Sequence, residues 1–211
     1  MKCMHCALLA QYCICTEISP LSCQPQILII RHYKESYKAS NSARIIQLCI
    51  QGVELLDYGI KDKPLPSLNL EGAALLFPPD ETSPVYTSSS PPEKIIIVDG
   101  TWKQAHKLRK RIEGLDQLPR LPIQSTMTLP RIRTPHFPGG MSTMEACLEA
   151  LALYNLSETI DILKEYYCLW LEQVRKTTGI REPIRPGSSF KEARFEQDII
   201  DGKIKGKSTL R

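Results

Sequence analysis

The sequence predicts an α/β fold, a mostly parallel sheet flanked by helices, and three features predict it. Aliphatic runs without polar alternation, such as Ile27-Leu28-Ile29-Ile30 and Ile95-Ile96-Ile97-Val98, suit strands covered on both faces. Segments with apolar residues at helical spacing separate or follow these runs, as Ala43, Ile46 and Ile50 do. Strand and helix therefore alternate along the chain, the pattern of a layered α/β domain. With 211 residues, 42% hydrophobic and 24% charged, the chain is large enough for one good core. No apolar run approaches the ~20 residues of a membrane span. The amino terminus lacks the apolar centre of a secretory signal, so a cytoplasmic protein is expected. A net charge of +4 is too mild to indicate a nucleic-acid partner by itself.

Three regions are expected: a cysteine knuckle over residues 1–24, a main domain over 25–178, and a polar, mobile tail over 179–211. In the first, Cys3-x-x-Cys6 and Cys13-x-Cys15 bring four thiols within thirteen positions, enough to enclose one tetrahedral zinc ion. The alternative is that some are small buried hydrophobes. The second pair is Cys-x-Cys rather than Cys-x-x-Cys, and His5 is an alternative ligand. Cys23, Cys49, Cys147 and Cys168 lie apart from one another and are expected in the core.

In the main domain, Gln26 to His32 reads as the first strand and Asn41 to Gln51 as a helix. Val53 to Tyr58, Ala73 to Phe77 and Ile95 to Asp99 read as further strands. Pro78 to Pro92, rich in proline and serine, reads as a surface loop. Trp102 to Arg111 is the next helix, capped by Thr101. Pro119 to Ile123 and Thr126 to Ile132 are expected to add a strand or two before Pro135 to Gly140 breaks the pattern. A helix then starts at Ser142, where Ser142-x-x-Glu145 is a capping-box pattern. A longer one runs over Glu158 to Lys176, with its aromatic residues in the core.

The segment Val98-Asp99-Gly100-Thr101-Trp102 carries the strongest chemical signal. Ligands of parallel sheets gather at the carboxyl ends of the strands, and Asp99 would stand at that edge, with Gly100 permitting close backbone approach. Asp99 has two readings: a functional carboxylate, or an acceptor for backbone amides of the Gly100-Thr101 turn. Trp102 either stacks on a ligand or packs with Ala105, Leu108 and Ile112, and packing with part of the ring lining the site is the leading expectation. Lys103, Lys107, Lys110 and Arg111 form a basic stripe uninterrupted by acids, which suits RNA phosphates and equally a solvated face. Arg44, Arg131 and Arg133 are further candidates for RNA contact, with Glu35 an alternative partner for Arg44.

Asp99-Gly100-Thr101-Trp102-Lys103-Gln104-Ala105 resembles the signature of the DTW-domain family. Three further segments agree in order: the cysteine cluster, His32-Tyr33-Lys34-Glu35 with Asn41-Ser42-Ala43-Arg44, and Ser142-Thr143-Met144-Glu145-Ala146. The resemblance covers roughly residues 3 to 155. It implies transfer of the 3-amino-3-carboxypropyl group of S-adenosylmethionine to N3 of a tRNA uridine, on a SPOUT-like fold. The knot that such a fold can carry is not readable from sequence pattern.

Under that resemblance, Asp99 is the candidate base for the N3 proton, or holds the sulfonium or the cofactor ribose. Gly100, Thr101 and Trp102 join the cofactor site, and the flexible Gly139-Gly140 lead into Ser142 and Thr143 suits the cofactor carboxylate. Phe77-Pro78 resembles an aromatic-proline turn near the cofactor, although Pro79-Asp80-Glu81 follows here. Two rival readings remain at this point. One is a SPOUT-type methyltransferase using the same cofactor, and the other a non-enzymatic zinc-containing RNA-binding protein.

Overall fold

The computed structural model describes residues 1–132, 140–178, 184–201 and 203. Four strands form one sheet: β1 (Gln26–His32), β2 (Glu54–Tyr58), β3 (Ala73–Leu76) and β4 (Lys94–Asp99). Their spatial order is β2-β1-β4-β3 and every pairing is parallel. The helices are α1 (Ser42–Cys49), α2 (Trp102–Arg111), α3 (Thr143–Ala152), α4 (Ser157–Thr178) and α5 (Phe190–Ile200).

Two cores sandwich the sheet, and the strand period of two sorts residues between them. Ile27 and Ile29, Ala74 and Leu76, and Ile95 and Ile97 join the core that holds α1, α3 and α4. Leu28 and Ile30, Ala73 and Leu75, and Ile96 face the other way, onto Ala105, Leu108 and Ile112 of α2 and its extension. Burial on both faces is why these strands read as unbroken aliphatic runs. Leu8 and Ile14 of the cysteine segment are fully buried in the first core, so the knuckle is packed onto the main domain.

Both helices that open on the site are closed by capping boxes. Thr101 and Gln104 exchange side-chain and backbone bonds at the start of α2, as Ser142 and Glu145 do at the start of α3.

Three expectations are corrected. Residues 119–132 form no strand; they make isolated bridges, Arg120 to Leu75 and Val85, and Arg131 to Ser189. Pro119, Pro122 and Pro130 interrupt the donors that a ladder needs. The polar segment after residue 178 contains α5, whose Phe190 is buried in the main core. Cys168 is exposed on α4, off the buried face formed by Leu163, Tyr167, Trp170 and Leu171, and Cys23 is half-buried, whereas Cys49 and Cys147 are buried as expected.

Candidate functional site

β1 and β4 are the central strands and run side by side, with Arg31 opposite Asp99 at their carboxyl ends. Asp99 is buried, 5% exposed, and both its carboxylate oxygens accept hydrogen bonds. Thr143 Oγ1 donates to Oδ1 at 2.5 Å and Asn41 Nδ2 donates to Oδ2 at 2.6 Å. Asn41 is itself oriented, because Arg31 Nη1 donates to its Oδ1 at 3.2 Å. Arg31 is held in turn by Asp57 through bonds of 2.7 and 3.1 Å. The reading in which Asp99 serves the amides of its own turn is thereby corrected: the Thr101 amide donates to Gln104 Oε1 at 2.7 Å. Burial pushes the Asp99 carboxyl above its ordinary pKa, and the Thr143 and Asn41 hydrogen bonds oppose that rise.

A cavity of about 850 Å³ opens beside this carboxylate, within the range of small-molecule and cofactor sites. Its wall includes Phe77, Pro78, Asp99, Gly100, Thr101, Trp102, Gly140, Ser142 and Thr143, so the sheet edge gathers the described residues expected at a cofactor site. A side chain at Gly100 would require its neighbours to shift by a few tenths of an ångström. A Cβ there would lie 3.1 Å from Gln104 Cβ and Oε1 and 3.4 Å from His32 Cβ, pressing on the capping box.

Trp102 lines the cavity as expected, while its expected packing with Ala105, Leu108 and Ile112 is corrected. It is 36% exposed and stacks on the Phe77 ring, with centroids 5.2 Å apart and planes 9° apart. As the first residue of α2 it stands at the sheet edge, while Ala105, Leu108 and Ile112 reach the core. His106 meets both rings edge-on, and the Arg109 guanidinium lies 5.2 Å from the Phe77 centroid while bonding Asp80 at 2.8 Å. Phe77 is thus fixed by its neighbours, and the Pro78 loop is tied to α2.

Lys103, Lys107, Lys110 and Arg111 are all exposed on α2 and lie outside the cavity wall. Arg44 is half-buried and bonds backbone carbonyls, His5 O at 3.2 Å and Ser36 O at 2.5 Å, fastening the cysteine segment to the turn after β1. Glu35 bonds Lys38 at 2.7 Å. Arg131 lines the cavity and bonds Glu145 at 2.7 Å. Arg133 and Gly139 lie outside the described residues.

At the amino terminus, the sulfurs of Cys3, Cys6, Cys13 and Cys15 all lie within 4.8 Å of one another. The Cys3–Cys15 and Cys6–Cys13 separations are 3.7 and 3.8 Å. A tetrahedron with Zn–S bonds of ~2.3 Å has an edge of about 3.8 Å, so the four sulfurs fit a structural zinc. Backbone hydrogen bonds from Cys6 and His5 lower the Cys3 thiol to about 6, while burial raises Cys6 and Cys15.

The DTW domain profile matches residues 1–175. The chain belongs to the DTW-domain family. A curated relative, tRNA-uridine aminocarboxypropyltransferase 2 of Drosophila melanogaster, is 25% identical over 167 residues. That alignment covers 72% of this chain and 66% of the relative, so the chain spans just under two thirds of the relative's length. No solved structure matches.

The DTW signature itself now has a physical reading. Asp99 is the buried carboxyl group, Thr101 caps α2, and Trp102 lines the cavity. Sequence reasoning missed Asn41 and Arg31 as partners of Asp99, and Tyr167, Gln124 and Ser125 as wall residues. Asn41 offered a faint signal. It occupies a helix N-cap, yet its side chain makes no capping bond and is diverted to Asp99.

Proposed function

We propose that this protein is a tRNA-uridine aminocarboxypropyltransferase that uses S-adenosylmethionine as donor and carries a structural zinc. The observation that carries the reading is Asp99, a buried carboxylate with a raised pKa on the wall of a cofactor-sized cavity. The family and the printed name of the Drosophila relative support it.

S-adenosylmethionine supplies a sulfonium whose aminocarboxypropyl carbon is open to nucleophilic attack. In the reaction, uridine N3 forms a bond to that carbon, the carbon–sulfur bond breaks, and methylthioadenosine leaves with the bonding pair. The N3 proton passes to Asp99. A carboxylate in water is a weak base, with a pKa near ~3.9, and partial removal from water strengthens it. Thr143 and Asn41 aim both oxygens, and the Arg31–Asp57 pair fixes Asn41 so that its amide, not its carbonyl, meets Asp99. Phe77 and Trp102 offer apolar ring surface for the adenine or the uridine base.

Lys103, Lys107, Lys110 and Arg111 supply exposed cationic surface for RNA phosphates. The cysteine knuckle, zinc-loaded, stiffens the segment that Arg44 ties to the turn after β1. A SPOUT-like relation, including a knot, belongs to this proposal and draws on the motifs and the parallel sheet.

The test is label transfer from two forms of the donor to unmodified tRNA. Label from the carboxyl position entering RNA, with none from the methyl group, supports the reading. Methyl label alone would make the protein a methyltransferase. RNA binding without transfer of either label would make it a binding module.

A further inference from the structure

We infer that Arg131 is the carboxylate receptor of the cavity, the residue that fixes the amino-acid end of the bound donor. The inference rests on the donor assignment proposed above and assigns Arg131 to the small molecule, where the sequence suggested an RNA phosphate.

Arg131 is anchored on three sides. Its amide donates to Ser188 O at 2.9 Å, its carbonyl accepts from Phe190 N at 3.0 Å, and its Nε donates to Glu145 Oε1 at 2.7 Å. Glu145 is 1% exposed, and its second oxygen accepts from the Ser142 amide at 2.8 Å. The guanidinium therefore uses one nitrogen to brace a buried carboxylate. Its two terminal nitrogens have no hydrogen-bond partner among the described residues, and the side chain, 18% exposed, lines the cavity. A planar fork of N–H donors with one nitrogen committed and two to spare, on a residue that lines a cavity, is suited to a carboxylate.

Position favours the small molecule over RNA. Arg131 is largely enclosed, while the α2 lysines stand outside the cavity and in solvent. Arg131 and Asp99 are joined through adjacent residues: Glu145 links Arg131 to Ser142, and Thr143 bonds Asp99. The cavity wall thus carries both a cation and the candidate base, linked through Glu145, Ser142 and Thr143. A carboxylate held by Arg131 lays its chain along the wall that also carries Asp99. That selects the aminocarboxypropyl carbon, rather than the methyl group, for attack.

The experiment is calorimetric titration of the 211-residue chain with S-adenosylmethionine, its decarboxylated analogue and methylthioadenosine. The wild type should bind the first about tenfold to a hundredfold more tightly than the second, the worth of a hydrogen-bonded charge pair. Arg131→Gln should weaken S-adenosylmethionine by a similar factor and leave the other two within about twofold, which also shows that the site is folded. Arg131→Lys keeps a cation beside Glu145 but loses the fork, so it should give a smaller loss, again confined to S-adenosylmethionine. Equal weakening of all three ligands would overturn the inference in favour of a bracing role for Arg131. Unchanged S-adenosylmethionine binding with weaker tRNA binding would overturn it in favour of a phosphate contact. Failure of the wild type to bind any of the three would instead remove the donor assignment on which the inference rests.

Discussion

Replacing Asp99 by asparagine should abolish activity and stabilise the fold. The variant can satisfy every hydrogen bond at the site. Asn41 cannot turn its amide, because Arg31 donates to its Oδ1, so it continues to offer Nδ2. The introduced side chain would present its carbonyl to that donor and its amide to Thr143, whose hydroxyl rotates from donating to accepting. Two charge-assisted bonds become neutral ones, a loss of about 1 kcal/mol each. Against that, removing a carboxylate from water costs several kcal/mol, and the variant escapes this penalty. The net gain is about 2 kcal/mol, roughly a 4–8 °C rise in Tm for a chain of 211 residues. The gain depends on pH with a defined sign. Burial raises the Asp99 pKa above its unfolded value near ~3.9, so its protonated form favours the fold. That contribution is complete below the unfolded value and is lost as pH rises through the folded one. The variant's advantage should therefore grow across that window and level off above it. Denaturant unfolding of both proteins at a series of pH values measures it. A variant less stable than wild type by more than about 1 kcal/mol at all pH values would refute the reasoning, since the charge would then stabilise the fold.

Other perturbations have equally definite outcomes. Asn41→Ala strips a partner from both Arg31 and Asp99, each buried, and should cost about 2–4 kcal/mol; it also removes a bond that favours ionised Asp99, so the acidic limb of the pH–rate profile should move to higher pH. Protein purified without chelator should contain one zinc per chain by elemental analysis, and Cys13→Ser should abolish tight binding while the sheet, built from residues 26–99, keeps its circular dichroism. Replacing Lys103, Lys107 and Lys110 together by Ala should flatten the salt dependence of tRNA binding by about 2–3 in log–log slope, and leave S-adenosylmethionine affinity unchanged.

The parts of the fold legible in the sequence are those set by local rules. Ile95 to Val98 announces a doubly covered strand, and Thr101-x-x-Gln104 and Ser142-x-x-Glu145 fix two helix starts through capping boxes. The same signal stands at Ser189-x-x-Glu192, where the Ser189 amide donates to Glu192 Oε2 at 2.7 Å and α5 begins. There it is hidden by the polar, charged composition of its surroundings. The site is legible only as separate segments. Nothing local pairs Asn41 with Asp99, which are brought together by adjacent parallel strands, or Arg131 with Glu145. The exposure of Trp102 escapes the pattern because helical spacing gives a face but not the height of a residue relative to the sheet edge. Residues 119–132 read as strand because their apolar content outweighs the missing proline donors.

The most direct test of the central claim is mass spectrometry of nucleosides and by-product after unmodified tRNA is incubated with S-adenosylmethionine and either the wild type or Asp99→Asn. Aminocarboxypropyl-uridine and methylthioadenosine should form in equal amounts with the wild type, and neither with the folded, RNA-binding variant. Aminocarboxypropyl-uridine formed at the wild-type rate by Asp99→Asn would contradict the role assigned to the buried carboxylate, and a methylated nucleoside with S-adenosylhomocysteine would contradict the reaction itself.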